Sequence, residues 1–320
     1  MTAILQSSLA FLHRLLLPVF VLLTRFGARF RSLLGRAEQV EFWKDPPMSS
    51  STGGSTSKSG LHTNGLMLSS MAIFPMNEGA VRAMLPRGLE LGPQNLTSAG
   101  QHPVCYMFCL QKDVRPLMLG RGMKYLELIL AVPFVQWTSD RNSFRGPFIF
   151  MPRLYLNQWL PVILGWFYGF AKVRARMHMG ENHYRVRGLF GDRPIVSGDF
   201  APHGPSGPPS TFPHFDPIRV LFQQPFIAKS FFGPLICSVF DFHLEEAQVQ
   251  AIDATVHVAD AFVPGLTVGD YSVPGIDTAP LGAFYIQVPW TLSPPLDCAC
   301  MKKSSLPAGA NGAHALSPSP

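Results

Sequence analysis

Charge is scarce in this sequence. Only 14% of its 320 residues are Asp, Glu, Lys or Arg, while 47% are apolar. That balance excludes wholesale disorder and supplies a sizeable core, in one large or two modest domains. Cysteine is equally sparse: Cys105, Cys109, Cys237, Cys298 and Cys300 show no CxxC spacing and no disulfide framework, so reduced thiols are expected. No HExxH-like pair occurs among the ten histidines, which leaves no metal site and no cofactor to expect. A nucleic-acid-binding signature is missing too. The net charge of +6 is modest for this length and favours an acidic surface or an anionic ligand. Thirty prolines exclude many long helices and favour strands and turns.

A clean membrane-spanning run is also lacking. Ile4 to Leu23 is mostly apolar, yet His13 and Arg14 sit in its middle and Pro18 interrupts it. An arginine at the bilayer centre costs about 2.5–3.5 kcal/mol on insertion scales. Arg14, Arg25, Arg29, Arg31 and Arg36 all precede the first acid, Glu38. This pattern fits a helix lying on a membrane surface, a cleaved organelle leader, or an amphipathic helix docked on the domain. The expected division is residues 1–43 as a membrane-associating or targeting segment, 44–64 as linker, 65–292 as the β domain and 293–320 as a disordered tail. The linker is marked by Ser, Thr and Gly between Met48 and Gly60, the tail by its Pro-Pro, Lys-Lys and Ser-Pro steps. Cys298 and Cys300, close to Lys302 and Lys303, are candidate lipidation sites. The expected location is membrane-associated, intracellular or organellar, with residues 4–36 as the membrane contact.

What the chain does contain is strand after strand. Leu66–Phe74, Val104–Leu110, Tyr125–Val135 and Phe148–Leu156 are apolar, β-branched or aromatic, and Leu160–Leu164 is expected to continue the same sheet. Asn77 suits the N-cap of a short helix through Ala83, stopped by Pro86. From Lys172 the chain alternates, with Lys172, Arg174, Arg176 and His178 on one face and apolar residues on the other. Gly180-Glu181-Asn182 then turns it back through His183, Arg185 and Arg187. Like charges lined up across two strands repel, so that face needs solvent or anions. Pro202–Pro213 reads as an exposed loop. Leu235–Phe242, Ala251–Val258 and Phe284–Trp290 complete a mainly β domain, a barrel or sandwich by its strand count.

Two charges stand out against this background. Lys172 closes the uncharged run Leu160–Phe167 and follows Tyr168-Gly169-Phe170-Ala171. An ammonium against apolar walls loses its proton more readily, and the free amine attacks carbonyl carbon; a lysine snorkelling to water is the plainer account. Glu127 interrupts Leu126-Glu127-Leu128-Ile129-Leu130. It either faces water on an edge strand or turns into a polar pocket beside an amine.

Met123–Arg176 resembles the acetoacetate decarboxylase family. The resemblance rests on Tyr125-Leu126-Glu127, Tyr155-Leu156-Asn157, Gly165 and Gly169-Phe170-Ala171-Lys172, with Ala80–Leu91 similar to the family's helix and Leu-Pro-x-x-Leu-x-Leu element. It spans roughly residues 65–290. It implies a closed β-barrel or double sheet around an apolar cavity, with a few short helices and a preceding N-terminal hydrophobic helix. Lys172 then matches the lysine that forms a Schiff base and Glu127 its partner, with Tyr125, Tyr168, Phe170 and Arg174 around the substrate. Three features depart from the pattern. The family's second lysine is Val173, its Gly-Arg-Glu turn reads Gly165-Trp166-Phe167, and no arginine occurs in Leu66–Phe74.

The resulting expectation is a decarboxylase-like lyase acting through a lysine Schiff base on a hydrophobic keto acid or related carbonyl compound. Its partner is a small carbonyl or hydrophobic acid ligand, at a membrane surface, with no nucleic acid and with the assembly state open between monomer and homo-oligomer. The competing expectation is a non-catalytic β-barrel that binds a hydrophobic ligand at a membrane.

Overall fold

The computed structural model describes residues 63–115, 122–138, 145–167, 170–230, 235–293 and 296–298. The expectations for the N-terminal segment, the linker, Tyr168 and Cys300 lie outside the described residues.

Four long strands carry the centre: β1 (Thr63–Asn77), β3 (Gln101–Arg115), β4 (Met123–Trp137) and β5 (Phe148–Leu156), with short β2 (Leu89–Leu91) on the edge of β4. Helix α1 (Glu78–Met84) follows β1 directly, and the Asn77 side chain accepts from the Ala80 N–H at 3.2 Å as the sequence suggests. After β5 come helix α2 (Trp159–Phe167), β6 (Lys172–Arg174), the hairpin β7 (Arg176–Met179) and β8 (His183–Arg187), then β9 (Pro194–Pro202). Helix α3 (Phe215–Phe222) leads into β10 (Phe226–Lys229), β11 (Leu235–Ser238) and β12 (Phe240–Phe242). The chain then continues through β13 (Gln248–Val258), β14 (Gly269–Val273), β15 (Ala283–Leu292) and β16 (Leu296–Asp297).

Hydrogen-bonded neighbours run β16-β11-β10-β5-β4-β3-β1-β15-β13-β9-β8-β7. The ladder itself does not close. Covalent continuity carries one side to the other, because β11 pairs with β10 while β12, one residue later, pairs with β15. At the joint the Ser293 N–H donates to the Val239 carbonyl at 2.9 Å, and the Val239 N–H donates to Ser293 Oγ at 2.8 Å. The mainly β expectation is met in this form, as a curled sheet with a second sheet on its back.

Strand alternation sends side chains to two separate cores. Leu128, Leu130 and Val132 of β4 join Val186, Val196 and Val256 between the two sheets. Tyr125, Ile129 and Ala131, one residue out of step, face the other way, where they meet Val162 of α2, Phe215 and Ile218 of α3, and Ile286 and Trp290 of β15. Because the side-chain period of a strand is two, Glu127 must share the second face with Tyr125 and Ile129.

Three expectations are corrected. Residues 159–167 are helical and do not continue the sheet. Every position there is apolar, so no contrast separates a period of two from one of 3.6, and Pro161 is tolerated in a first helical turn. Within the stretch read as tail, Leu296 pairs with Cys237 across β16 and β11, so Leu296–Asp297 belong to the sheet, and residues 299–320 lie outside the described residues. Finally, Cys237 and Cys298 form a disulfide with Cα atoms 5.0 Å apart, which replaces reduced thiols and lipidation at those positions. Their separation of 61 residues leaves no local spacing to read.

The alternation from Lys172 is real but interrupted at Ala175. Lys172 and Arg174 lie in β6, parallel to Leu154 and Leu156 of β5, while Arg176 and His178 belong to the outer hairpin. There the expected repulsion is relieved by Asp192, which meets Arg176 at 3.5 Å and Arg187 at 2.6 Å.

Candidate active site

Strand β6 delivers Lys172 to the second core just after a tight local path. Phe170 N–H donates to the Gly165 carbonyl at 2.9 Å, and the Trp166 indole donates to the Lys172 carbonyl at 2.8 Å. Helix α2 and β6 are thereby clasped together. Lys172 Nζ reaches Glu127 Oε1 of β4 at 2.9 Å, with side-chain exposures of only 13% and 5%. The other Glu127 oxygen accepts from Gln111 Nε2 at 3.3 Å, and Gln111 Oε1 accepts from the Trp290 indole at 3.0 Å. A relay of neutral donors therefore ends on the carboxylate opposite the amine. An enclosed pair needs such support, because desolvation offsets much of its Coulomb gain.

The pair sits in a cavity of about 70 Å³ whose walls include Tyr125, Ile129, Met151, Leu154, Phe170, Phe240 and Leu292. Among the described residues, Lys172 and Glu127 are the only Lys, Arg, Asp or Glu in its walls. The Tyr125 and Phe170 rings lie 5.9 and 6.0 Å from Nζ. Burial, aided by the nearby Glu127 charge, raises the Tyr125 hydroxyl well above its ordinary pKa, and the Cys109 thiol rises for the same main reason. Both stay neutral at physiological pH.

The structure thus brings together Lys172, Glu127, Tyr125 and Phe170. Arg174 does not join them: its guanidinium stacks 5.0 Å from the Trp159 ring and is absent from the cavity walls. Two residues along β6 it shares the side of Lys172, but the strand carries it towards the other end of α2. Val173, where the resembling family has a second lysine, packs against the inter-sheet core. Gln111 and Trp290 escaped the sequence reading. A lone glutamine at the end of an apolar strand was the available signal for the first, while nothing local marked the second. His243, Glu245 and Glu246 bring ligand atoms within 4.8 Å of one another, but none lines this cavity.

Gly165 shows how closely helix and lysine fit. A Cβ there would lie 2.4 Å from Lys172 Cδ and 2.9 Å from Cε. Gly165→Ala is expected to push the amine off its position and to cut its reaction rate with a carbonyl probe roughly a hundredfold. Thermal stability should fall as well, because a displaced amine leaves buried Glu127 short of its partner, a cost that the roughly 1 kcal/mol helix preference of alanine over glycine offsets only in part. A melting curve beside a trapping time course measures both.

A curled sheet thus holds a lysine–carboxylate pair in an apolar cavity. No protein-family model and no curated protein matches the chain. Among solved structures it is similar to acetoacetate decarboxylase from Legionella pneumophila, at 14% identity and a TM-score of 0.50, covering 78% of this chain and 91% of that one. A further likeness is to the enduracididine biosynthesis enzyme MppR complexed with the condensation product of pyruvate and imidazole 4-carboxaldehyde. Its values are 15% identity, a TM-score of 0.48, and 78% and 98% of the two chains. The chain has the acetoacetate decarboxylase fold in a divergent form.

Proposed function

We propose that the protein is a lysine-dependent carbon–carbon lyase that decarboxylates a hydrophobic β-keto acid. The observation that carries this reading is the 2.9 Å contact between Lys172 Nζ and Glu127 within an apolar cavity. Glu127 takes a proton from the ammonium, and the freed amine adds to the ketone carbon. Loss of water leaves a protonated imine. The bond to the carboxylate carbon then breaks, CO₂ departs, and its electron pair moves into the imine to give an enamine. Protonation of the enamine carbon and hydrolysis release the ketone and restore Lys172. No cofactor enters any of these steps. Among the described residues the walls offer the departing carboxylate no cation beyond Lys172, which favours its loss as neutral CO₂.

Tyr125, Phe170, Met151 and Leu154 suit an aliphatic or aromatic side chain better than a short acid. Borohydride reduction in the presence of β-keto acids and their product ketones is expected to fix an adduct on Lys172, located by peptide mass spectrometry. An adduct that forms equally in Lys172→Ala, or none across the panel, sinks the lyase reading. In that event the second reading stands, a binding module for a hydrophobic ligand. It draws on the loss of the second cation to Val173, which leaves Lys172 already neutralised by Glu127.

A further inference from the structure

Helix α2 carries no charge over its nine residues, and its two sides do different things. At about 100° per residue, Pro161, Leu164 and Gly165 turn towards the cavity. Trp159, Leu160 and Ile163 occupy the opposite arc and are 47%, 50% and 40% exposed. They are three of the five large apolar side chains left exposed among the described residues. Their concentration on one short helix needs a reason, where scattered exposure would not.

The rim of this patch is mostly basic. The Arg174 guanidinium stacks on Trp159, and its buried Nε has no hydrogen-bond partner among the described residues. Lys124 is exposed at the start of α2, where Gln158 donates to its carbonyl at 2.8 Å. An aromatic ring under a guanidinium, beside bare aliphatic side chains, suits the boundary between lipid headgroups and acyl chains.

We propose that the outer face of α2 is a docking surface for an anionic lipid bilayer, and that the cavity draws its carbonyl substrate from that bilayer. Nine helical residues span about 14 Å, well short of a hydrocarbon core of about 30 Å, so the helix lies along the surface and does not cross it. A second copy is the poorer occupant. Three side chains fall far below the roughly 800 Å² per partner of a stable protein interface. The choice of a bilayer-borne substrate rests on the imine chemistry proposed above; the docking surface does not.

The test mixes the full chain with phosphatidylcholine vesicles, with and without phosphatidylserine, whose acyl chains carry bromine. Quenching of tryptophan emission is expected with phosphatidylserine, and to be larger in the wild type than in Trp159→Phe. Leu160→Glu/Ile163→Glu should weaken partitioning about tenfold. Its circular dichroism and its borohydride adduct with a small water-soluble ketone should stay unchanged, because neither residue lines the cavity. The docking proposal is overturned if vesicles bind without quenching Trp159, if none bind, or if Trp159 is already shielded from a soluble quencher before vesicles are added. Docking without any lysine adduct would refute the imine reading alone, and an adduct without docking would refute the bilayer alone.

Discussion

Lys172→Met is expected to abolish every borohydride-trappable adduct and to destabilise the fold by about 3 kcal/mol. The methionine fills much of the space of the lysine stem, so packing changes little. What is lost is the cation that faces a Glu127 side chain only 5% exposed. A carboxylate left alone in an apolar interior costs far more than the pair contributes. Adding Glu127→Gln should recover most of the stability, since glutamine keeps a partner for Gln111 and carries no charge. It should recover none of the adduct. Urea unfolding of the wild type, both single variants and the double variant gives the coupling directly. A Lys172→Met protein as stable as the wild type would mean that the ion pair is wet, and the enclosed-amine chemistry would then lose its basis.

Breaking Cys237–Cys298 is the second large effect. The bond closes a loop of 61 residues around β11 and β16, running through β12 to β15. In the chain-entropy account a loop of that length contributes about 4 kcal/mol. For a domain of this size, each kcal/mol moves the midpoint about 2–4 °C, so Cys298→Ser should lower the melting temperature by roughly 10 °C. Both sulfur-bearing residues are buried, Cys237 in the inter-sheet core, so reductant is expected to act only as the strands open. Scans with and without dithiothreitol, on wild type and Cys298→Ser, check this. Equal midpoints in all four would show that β11 and β16 hold together without the bond. A disulfide persists in oxidising surroundings and is reduced by the thiol pool of the cytosol, so the same scans bear on where the protein works.

Of the fold, the long central strands were legible because they alternate or run apolar over many residues between clear turns. The Asn77 cap was legible because an N-cap is a local hydrogen bond. Helix α2 was not: a run with no polar residue shows no period, and only its packing between the cavity and solvent separates Pro161, Leu164 and Gly165 from Trp159, Leu160 and Ile163. At the site, Lys172 and Glu127 were conspicuous as single charges in apolar runs. Arg174 looked equally well placed by alternation, yet a strand of three residues against a short helix sent it to Trp159.

By itself the sequence determined which groups were costly to bury, because that depends on the residue and its immediate neighbours: one amine at 172, one carboxylate at 127, and a β-rich chain around them. Tertiary structure alone decided that the two meet, that Gln111 and Trp290 brace the carboxylate, that Val173 and Arg174 turn elsewhere, and that Cys237 finds Cys298. Those contacts join residues tens to nearly two hundred positions apart, and no local period or propensity carries information over that distance. Only the pairing of β3, β4, β5, β6, β1 and β15, and of β11 with β16, supplies it.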